Sequence, residues 1–380
     1  MAAQDLDRAS LAGPKVDAPP ELSLLLLRAL AEYDSLPAVE SGDVTLTYGD
    51  LRARAQDIIP GPGKVSIIDT DDPVERVVQA LAAILGQKVL ALFDPALPQA
   101  RRDKMRSTLL AIETEGIDGT VASYVQFTSG TTGEPKAALL SRVGLANLIR
   151  TLGNDLSIKP GSRVLQLAAP AFDAWVWEVF ITLGAGGTLV LADRSALHAG
   201  EPLAVCLRER AVSHVTITPS ALAALGQVDL PELTTIVAAG EPLSADLMET
   251  WAPGRRMFNA YGPCEATVCA SHGVCAAGSD TPDIGTPIVG MTAMVMDRYA
   301  MPAIPGAVGE LWVGGIGVGL GYVGAPAITA ERFIADPGAD DGRRLYCTGD
   351  MARIRTNVRI QFIGRDDRQV KVRGVRMELD

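Results

Sequence analysis

Apolar residues recur at helical spacing in some stretches of the chain and form short continuous runs in others. Residues 21–33 place leucine and alanine three and four positions apart, and the same spacing predicts helices over 74–85 and after Ser141. The short runs predict buried strands at 64–69, 89–93, 123–127, 163–167, 188–191, 214–217 and 235–237. Strands that alternate with helices form parallel βαβ units. The pattern therefore predicts an open α/β fold, in which ligands bind at the carboxyl ends of the strands.

The pattern changes at about residue 270. Short apolar runs over 292–296, 310–313 and 358–362 are separated by Gly and Pro turns, which predicts a smaller β-rich subdomain. We expect four parts: a flexible lead-in (1–20), an α/β core that carries the site (21–270), the β-rich subdomain (271–365) and a terminal segment (366–380).

Composition narrows the class of protein. The 380 residues are 48% hydrophobic and 21% charged, which is typical of a globular chain, and the net charge of -11 argues against nucleic acid as a partner. The five cysteines are an odd number without a C-x-x-C, so neither a disulfide framework nor a zinc site is indicated, and we expect a reducing cytoplasm. The apolar run Leu24–Leu27 is too short to span a membrane, so neither export nor membrane anchoring is expected.

A Thr/Ser/Gly-rich segment follows the predicted strand at 123–127 and ends in one lysine, Lys136. Its glycines let the backbone come close to a ligand, its hydroxyl and N–H groups can form an anion-binding concavity, and the lysine adds a point charge. The segment therefore suits a polyphosphate, although its spacing differs from that of the usual P-loop. On composition alone, a polar surface loop is the alternative.

The segment from Thr128 to Lys136, T-S-G-T-T-G-E-P-K, resembles the phosphate-binding signature of the adenylate-forming superfamily. That superfamily includes the adenylation domains of nonribosomal peptide synthetases, acyl-CoA and aryl-CoA ligases, and luciferases. Seven other segments resemble family motifs and occur in the family's order, at 46–51, 93–98, 172–177, 259–265, 309–322, 346–350 and 364–371. The resemblance covers roughly residues 22–380. It implies the large N-terminal core of the adenylate-forming fold, with two α/β subdomains, mixed or parallel sheets and a β-rich subdomain, and it implies ATP and Mg²⁺ as cofactors.

The resemblance also implies roles for residues around the nucleotide. Asn-Ala-Tyr-Gly-Pro-Cys-Glu at 259–265 is similar to N-x-Y-G-P-T-E, so Tyr261 would stack on adenine and Glu265 would help to hold Mg²⁺; Cys264 stands where the family has threonine. Asp350 matches the ribose-binding aspartate of Y-x-T-G-D. The catalytic residues implied are Thr128, Lys136 and Glu265, and the ATP-binding residues are Thr128, Ser129, Gly130, Thr131, Thr132, Gly133, Lys136, Gly240, Asn259, Ala260, Tyr261, Asp350 and Arg365.

A substrate pocket follows from the same resemblance. Phe-Asp-Ala-Trp-Val-Trp at 172–177 resembles F-D-x-S-x-W-E, whose aspartate pairs with a substrate ammonium. A buried carboxylate is costly without a cation, so Asp173 is expected to select amino acids over plain acids. The remaining pocket positions are small or apolar and, read in order, resemble those of phenylalanine-activating domains: Ala174, Trp177, Thr216, Val237, Ala239, Ala260, Val268 and Cys269.

The resemblance makes residues 366–380 the hinge segment, with Asp367 as the hinge, to a small C-terminal lid that we expect to be absent from this sequence. We expect the lid to be supplied in cis or in trans, and the acceptor thiol to belong to a carrier protein. The sequence is therefore interpreted as an amino-acid adenylating, AMP-forming ligase of nonribosomal peptide or antibiotic biosynthesis. Two alternatives stay open: an aryl-CoA or acyl-CoA ligase-type enzyme that acts on acids without an amine, and a lidless core that binds ligands with little activity. The histidines match no motif and are expected to be structural; they are His198, His214 and His272.

Overall fold

The structure is a computed structural model, and it describes residues 10–14, 21–58, 63–114, 117–128, 135–278, 282–336, 342–365, 369–372 and 375–378. Its helices are α1 (Leu22–Glu32), α2 (Tyr48–Asp57), α3 (Pro73–Leu85), α4 (Gln99–Thr114), α5 (Arg142–Asp155), α6 (Ala174–Gly184), α7 (Glu201–Glu209), α8 (Pro219–Ala224), α9 (Ala245–Trp251) and α10 (Pro326–Arg332). Within these ranges, no helix is both long and apolar enough to cross a membrane.

The strands, in chain order, are β1 (Ser10–Ala12), β2 (Pro37–Ser41), β3 (Val44–Thr47), β4 (Val65–Ile68), β5 (Val89–Leu92), β6 (Ala122–Thr128), β7 (Lys136–Ser141), β8 (Arg163–Leu165), β9 (Thr188–Leu191), β10 (His214–Ile217), β11 (Thr235–Ala239), β12 (Arg256–Tyr261), β13 (Ser271–Cys275), β14 (Thr286–Pro287), β15 (Met291–Met296), β16 (Gly309–Gly315), β17 (Gly321–Tyr322), β18 (Phe333–Ala335), β19 (Arg344–Ile354), β20 (Ile360–Arg365), β21 (Gln369–Val372) and β22 (Val375–Glu378).

Local sequence signals explain where several helices begin. Thr47 accepts a hydrogen bond from the backbone N–H of Asp50, whose carboxylate accepts one from the backbone N–H of Thr47, so a capping box starts α2. Asp72 caps α3, which has proline at its first turn, and Ser141 caps α5 as predicted. The helices predicted over 21–33 and 74–85 are thereby confirmed within one or two residues.

The largest sheet described has the strand order β14-β13-β12-β11-β10-β8-β9-β2-β3. Its centre, from β12 to β2, is parallel, and the pairings toward both edges are antiparallel. Helices α1, α5 and α6 cover one face and α7, α8 and α9 cover the other, so the central strands are buried on both sides. This layering gives the continuous apolar runs that predicted the strands.

A second sheet has the order β17-β7-β6-β5-β4 and packs against α4 on one face. Strands β4, β5 and β6 are parallel, whereas β7 and β17 are antiparallel to their neighbours. A third, antiparallel sheet has the order β1-β15-β16-β19-β18, with β20 paired to β19. The predicted fold class, a mixed α/β core with a β-rich part, is confirmed.

Two of the expected boundaries differ from the sheets. Ser10–Ala12 lies within the lead-in, yet it pairs with β15 of the antiparallel sheet. Ser271–Cys275 lies in the expected β-rich part, yet it extends the largest sheet by pairing with β12. The first pairing joins residues that are far apart in sequence, and the second depends on a turn of the chain between β12 and β13. Local hydrophobicity predicts neither of these pairings. The division into domains itself stays a prediction.

Candidate active site

The strand that precedes the Thr/Ser/Gly loop and the strand that follows it form a hairpin. Thr128 ends β6 and pairs with Lys136, which begins β7. The Lys136 ammonium nitrogen lies 6.0 Å from the ring centroid of Tyr322 in the neighbouring β17, within the range of a cation–π contact. The predicted loop residues lie outside the described residues and stay predictions: Ser129, Gly130, Thr131, Thr132 and Gly133.

Glu265 stands beside this hairpin, in a single 3₁₀ turn at Cys264–Ala266. It is 1% exposed, and its Oε1 accepts a hydrogen bond of 2.8 Å from the Tyr322 hydroxyl, which lies 3.2 Å from the hydroxyl of Tyr346. Burial and the adjacent Glu265 carboxylate raise the pKa of Tyr322 well above its usual value, so its hydroxyl is a neutral donor. Lys136, Tyr322 and Glu265 thus form one polar cluster.

The donors in this cluster fit a magnesium ion that keeps most of its coordination from phosphates and water. Mg²⁺ prefers hard oxygen ligands and commonly takes one or two carboxylates together with substrate phosphates. Glu265 supplies such a carboxylate, and the hydroxyl of Thr128 lies at the end of the neighbouring strand. The part of the chain that the structure describes contains no group of three His, Cys, Asp or Glu residues that would hold a metal by themselves.

A second cluster joins the residues predicted to bind the nucleoside. The Tyr261 hydroxyl donates a 2.5 Å hydrogen bond to Asp350 Oδ2, and Arg365 forms an ion pair with the other oxygen of the same carboxylate. Asp350 and Arg365 are register partners in β19 and β20, which places their side chains together. Burial, and then the Asp350 carboxylate, raise the pKa of Tyr261 well above its usual value. The phenol ring is tilted against Phe362 at 6.2 Å between centroids.

The two clusters share strand β19, since Tyr346 belongs to the first and Asp350 to the second. Gly240 follows β11 with φ of +85°, a conformation open to glycine, at the carboxyl end of the largest sheet. Asn259 is 5% exposed, and its side-chain amide donates to the carbonyl of Asp283 at 3.0 Å. The structure therefore shows Asn259 fixing the segment around 283, and its predicted contact with ATP stays a prediction.

The predicted pocket residues lie on one face of the largest sheet. Thr216, Val237 and Ala239 alternate onto that face from β10 and β11, and Ala239 pairs with Ala260 of β12. Trp177 of α6 is 4% exposed and lines a small cavity together with Thr216 and Val237. That cavity offers about 10 Å³, roughly what one water molecule requires. The cavity is therefore too small for an aryl side chain.

The start of α6 carries the predicted ammonium partner. Asp173 is the residue before the helix, and its side chain makes no hydrogen bond to the first turn. Ala174 follows it as the first helical residue. One turn later, Glu178 is 1% exposed and accepts hydrogen bonds from Gln166 Nε2 and from the backbone N–H groups of Leu167 and Ala168. Burial raises the pKa of Glu178 to about 8, against the effect of these donors. Glu178 thus fixes the segment that leads to Asp173.

The last pocket positions lie in strained backbone. Thr267 and Val268 have φ of +56° and +64°, which is unfavourable for β-branched residues. The Thr267 hydroxyl donates to the carbonyl of Gly317 at 2.6 Å, and the N–H of Ala270 donates to the carbonyl of Tyr261. These contacts hold the segment that contains Val268 and Cys269; Cys269 is 2% exposed, and burial raises its thiol pKa. Strain of this kind is often found at binding sites.

Some residues of the site were not singled out from the sequence. Tyr322 was seen only as the end of a family segment, because its contact with Glu265 depends on the pairing of β17 with β7. Gln126 also lies outside the segment from Thr128 to Lys136, yet its side chain donates to the carbonyl of Ala171 at 2.7 Å and ties β6 to the segment before Asp173. Period-2 alternation along β6 would have placed Tyr124, Gln126 and Thr128 on one face. The hinge residue Asp367 lies outside the described residues.

Comparison of the sequence with known proteins identifies the family of the chain. The family described as AMP-binding enzyme matches residues 64–323. Phosphinothricin tripeptide synthetase PhsC of Streptomyces viridochromogenes is 45% identical over 90% of the chain. The probable non-canonical nonribosomal peptide synthetase CymA of Salinispora arenicola is 38% identical over 94% of it. The chain spans only 36% and 5% of the lengths of these two relatives.

Solved structures agree with these relatives on the fold. The structure of PA1221, a nonribosomal peptide synthetase protein containing adenylation and PCP domains, matches with a TM-score of 0.84 at 24% identity. The match covers 95% of this chain and 82% of that one. The resemblance to adenylation domains of nonribosomal peptide synthetases is confirmed, and the chain belongs to the family of AMP-binding enzymes.

Proposed function

We propose that the protein activates an α-amino acid with a phenylalanine-like side chain, using ATP, to an aminoacyl-adenylate and pyrophosphate. The single observation that carries this proposal is the position of Asp173. Asp173 ends the connection that follows the carboxyl end of β8 and begins α6, whose Trp177 packs in the same core as Val237 and Ala260 of the parallel sheet. Ala260, a predicted pocket residue, and Tyr261, a predicted nucleotide-binding residue, are consecutive residues at the end of β12.

The reaction needs positioning and charge stabilisation and no protein nucleophile. A carboxylate oxygen of the amino acid attacks the α-phosphorus of ATP, the bond from that phosphorus to the bridging oxygen breaks, and pyrophosphate leaves with the electron pair. Lys136 and the hydroxyl of Thr128, which are paired residues of the hairpin, would stabilise the leaving phosphates. Mg²⁺, when bound, would neutralise phosphate charge, and Glu265 would hold it.

The nucleoside end would be held by the second cluster. The ring of Tyr261 offers a flat face to adenine, and Asp350 offers carboxylate oxygens to the ribose hydroxyls. Arg365 forms an ion pair with Asp350 and orients that carboxylate. Tyr261 donates to the same group, so the contacts to the base and to the sugar are coupled through one buried carboxylate.

Selection of an amino acid over a plain acid would come from Asp173, because a carboxylate at this site gains a charge-assisted hydrogen bond only from a substrate with an ammonium group. Selection of the side chain would come from the apolar walls. Trp177, Val237 and Val268 provide these walls, and the two alanines at 239 and 260 leave space between them. Apart from Asp173, no predicted pocket position carries a charged group that could pair with an ionised side chain.

The acceptor of the activated amino acid is proposed to be a carrier-protein thiol, since PA1221 contains a PCP domain beside its adenylation domain. The lid that the family resemblance implies would complete the site, in cis or in trans. Both partners belong to the proposal for the whole protein, because the chain spans a minor part of these two relatives.

The experiment is amino-acid-dependent exchange of labelled pyrophosphate into ATP, with calorimetric binding in parallel, across amino acids and aryl acids. We expect phenylalanine to give the strongest response, and Asp173→Ala to lower its kcat/KM by about 10- to 150-fold, the value of a charge-assisted hydrogen bond. Asp246→Ala is the matched control, because Asp246 is an exposed carboxylate in the first turn of α9, on the opposite face of the sheet.

Two results would overturn the proposal. If 3-phenylpropionate, which lacks the amine, works as well as phenylalanine, the protein is an acid-activating ligase. If phenylalanine and ATP bind but no exchange occurs even with a lid supplied, the chain is a binding core and not an adenylating enzyme.

A further inference from the structure

Tyr124 is a buried polar residue that neither the family motifs nor the proposed reaction uses. It lies in the middle of β6, is 1% exposed, and its ring packs in the same apolar core as Val237, Ala260 and Cys269. Its hydroxyl oxygen has no hydrogen-bond partner among the residues that the structure describes. A buried hydroxyl without a partner lowers the free energy of unfolding, so phenylalanine at this position would make the core more stable.

The surroundings of this hydroxyl are those of the active site. Tyr124 packs in the core that also contains Trp177 and Ala260, and burial, the Asp173 carboxylate and the Cys264 thiol raise its pKa well above the usual value. Asp173 belongs to the amino-acid side of the site, and Cys264 lies between Tyr261 and Glu265 on the nucleotide side. The Tyr124 hydroxyl therefore lies near the junction of the two halves.

Strand β6 fixes this position from both ends. Tyr124, Gln126 and Thr128 share a face of the strand, because side chains alternate along it. Gln126 is bound to the carbonyl of Ala171, two residues before Asp173, and Thr128 is bound into the hairpin that ends at Lys136. The hydroxyl is thus supported by a strand that is already tied to the amino-acid segment and to the phosphate segment.

We propose that Tyr124 is a substrate-binding residue whose hydroxyl oxygen accepts a hydrogen bond from the substrate ammonium, which Asp173 binds from the opposite side. A neutral phenol suits this task, because it accepts from an ammonium without adding a second buried negative charge beside Asp173. An ammonium has three N–H donors, so it can serve both groups at once. The inference rests on the proposed function, because it needs an amino acid as the substrate.

The test compares wild type, Tyr124→Phe and Tyr48→Phe in calorimetric binding of L-phenylalanine and of ATP, and in thermal unfolding without ligand. Tyr124→Phe keeps the ring and removes only the hydroxyl. We expect it to raise the Kd of phenylalanine about tenfold, to leave the Kd of ATP unchanged, and not to lower the melting temperature. Tyr48→Phe is the matched control: its buried hydroxyl donates to the carbonyl of Gly187 at 2.7 Å, so its loss should lower the melting temperature and leave both Kd values unchanged.

L-phenylalaninol separates the two polar ends of the substrate, because it keeps the ammonium and lacks the carboxylate. Tyr124→Phe should weaken its binding by the same factor as that of phenylalanine. An unchanged Kd for phenylalanine overturns the inference, and so does a loss seen with phenylalanine and absent with phenylalaninol, which would assign the hydroxyl to the carboxylate. If wild type binds 3-phenylpropionate and no amino acid of the panel, the proposed function fails and this inference fails with it.

Discussion

The hydroxyl and the ring of Tyr261 have separate tasks in this structure, and two substitutions can separate them. The hydroxyl donates to the buried Asp350 carboxylate at 2.5 Å, whereas the ring is the surface predicted to stack on adenine. Tyr261→Phe removes a hydrogen bond to a charged group, which stabilises a protein by about 1.5–3 kcal/mol. Asp350 keeps its ion pair with Arg365, so the loss is confined to one contact. We expect the melting temperature to fall by several degrees.

Nucleotide binding should respond differently to the two changes. Tyr261→Phe keeps the ring, so the Kd of ATP should change by no more than a few-fold. Tyr261→Ala removes it, and stacking of a base on an aromatic side chain contributes about 1–3 kcal/mol, which corresponds to a rise of about 5- to 150-fold in Kd. Calorimetric titration with ATP measures both values. Tyr299→Ala is the matched control, because Tyr299 is 70% exposed and should change neither binding nor stability.

The reasoning is refuted if Tyr261→Phe weakens ATP binding as much as Tyr261→Ala does. In that case the hydroxyl contacts the nucleotide and the ring does not. An unchanged melting temperature for Tyr261→Phe would refute the structural half, since it would mean that Asp350 does not depend on this donor in solution.

Three further predictions concern residues that line the small cavity beside Thr216 and Val237. Burial lowers the pKa of His214 to about 4, whereas the unfolded chain binds this proton near pH 6.5, so the free energy of unfolding should fall by up to about 3 kcal/mol as the pH drops from about 6.5 to 4. Urea unfolding of His214→Asn should lack this pH dependence. For Glu178 the sign is opposite, because burial raises its pKa to about 8. Its contribution to the free energy of unfolding is complete below about pH 4.5 and is lost as the pH rises toward 8, so wild type should lose stability relative to Glu178→Gln over that range. Trp177→Ala should cost about 3–5 kcal/mol and join the pocket to the cavity behind it, so competition binding should shift toward larger aryl side chains such as that of tryptophan.

The elements that could be predicted from the sequence are those whose signal is local. The strand predicted at 123–127 is observed as Ala122–Thr128, and the helix predicted over 74–85 is observed as Pro73–Leu85. Both have hydrophobic periodicity and clear end signals within a few residues. Helix α4 was not predicted, because its apolar stripe consists of only three buried residues, Met105, Leu109 and Ile112, in a helix of mostly polar or charged residues.

The candidate site divides in the same way. Contiguous motifs supplied Lys136, Glu265 and Asp350 as predicted site residues, and the structure places Lys136 and Glu265 around Tyr322 and places Asp350 against Tyr261. Their contacts with ligands stay predictions. The conformation of Val268 could not be predicted, because a β-branched residue has no intrinsic preference for positive φ and is held there by contacts from distant parts of the chain.

The site residues that could not be predicted from the sequence share one property: the groups near their hydroxyls belong to segments that are distant in sequence. Tyr322 reaches Glu265 because β17 pairs with β7, more than 170 residues earlier in the chain, and Tyr124 approaches Asp173 because β6 is tied to the segment before α6. A motif lies in one segment and can be recognised in the sequence. The partners of a buried hydroxyl come from several segments and become visible only in the folded structure. An apolar residue would pack at least as well in each place, so a tyrosine kept there at a cost points to a partner. For Tyr322 that partner is Glu265; for Tyr124 the partner that we propose is the substrate ammonium.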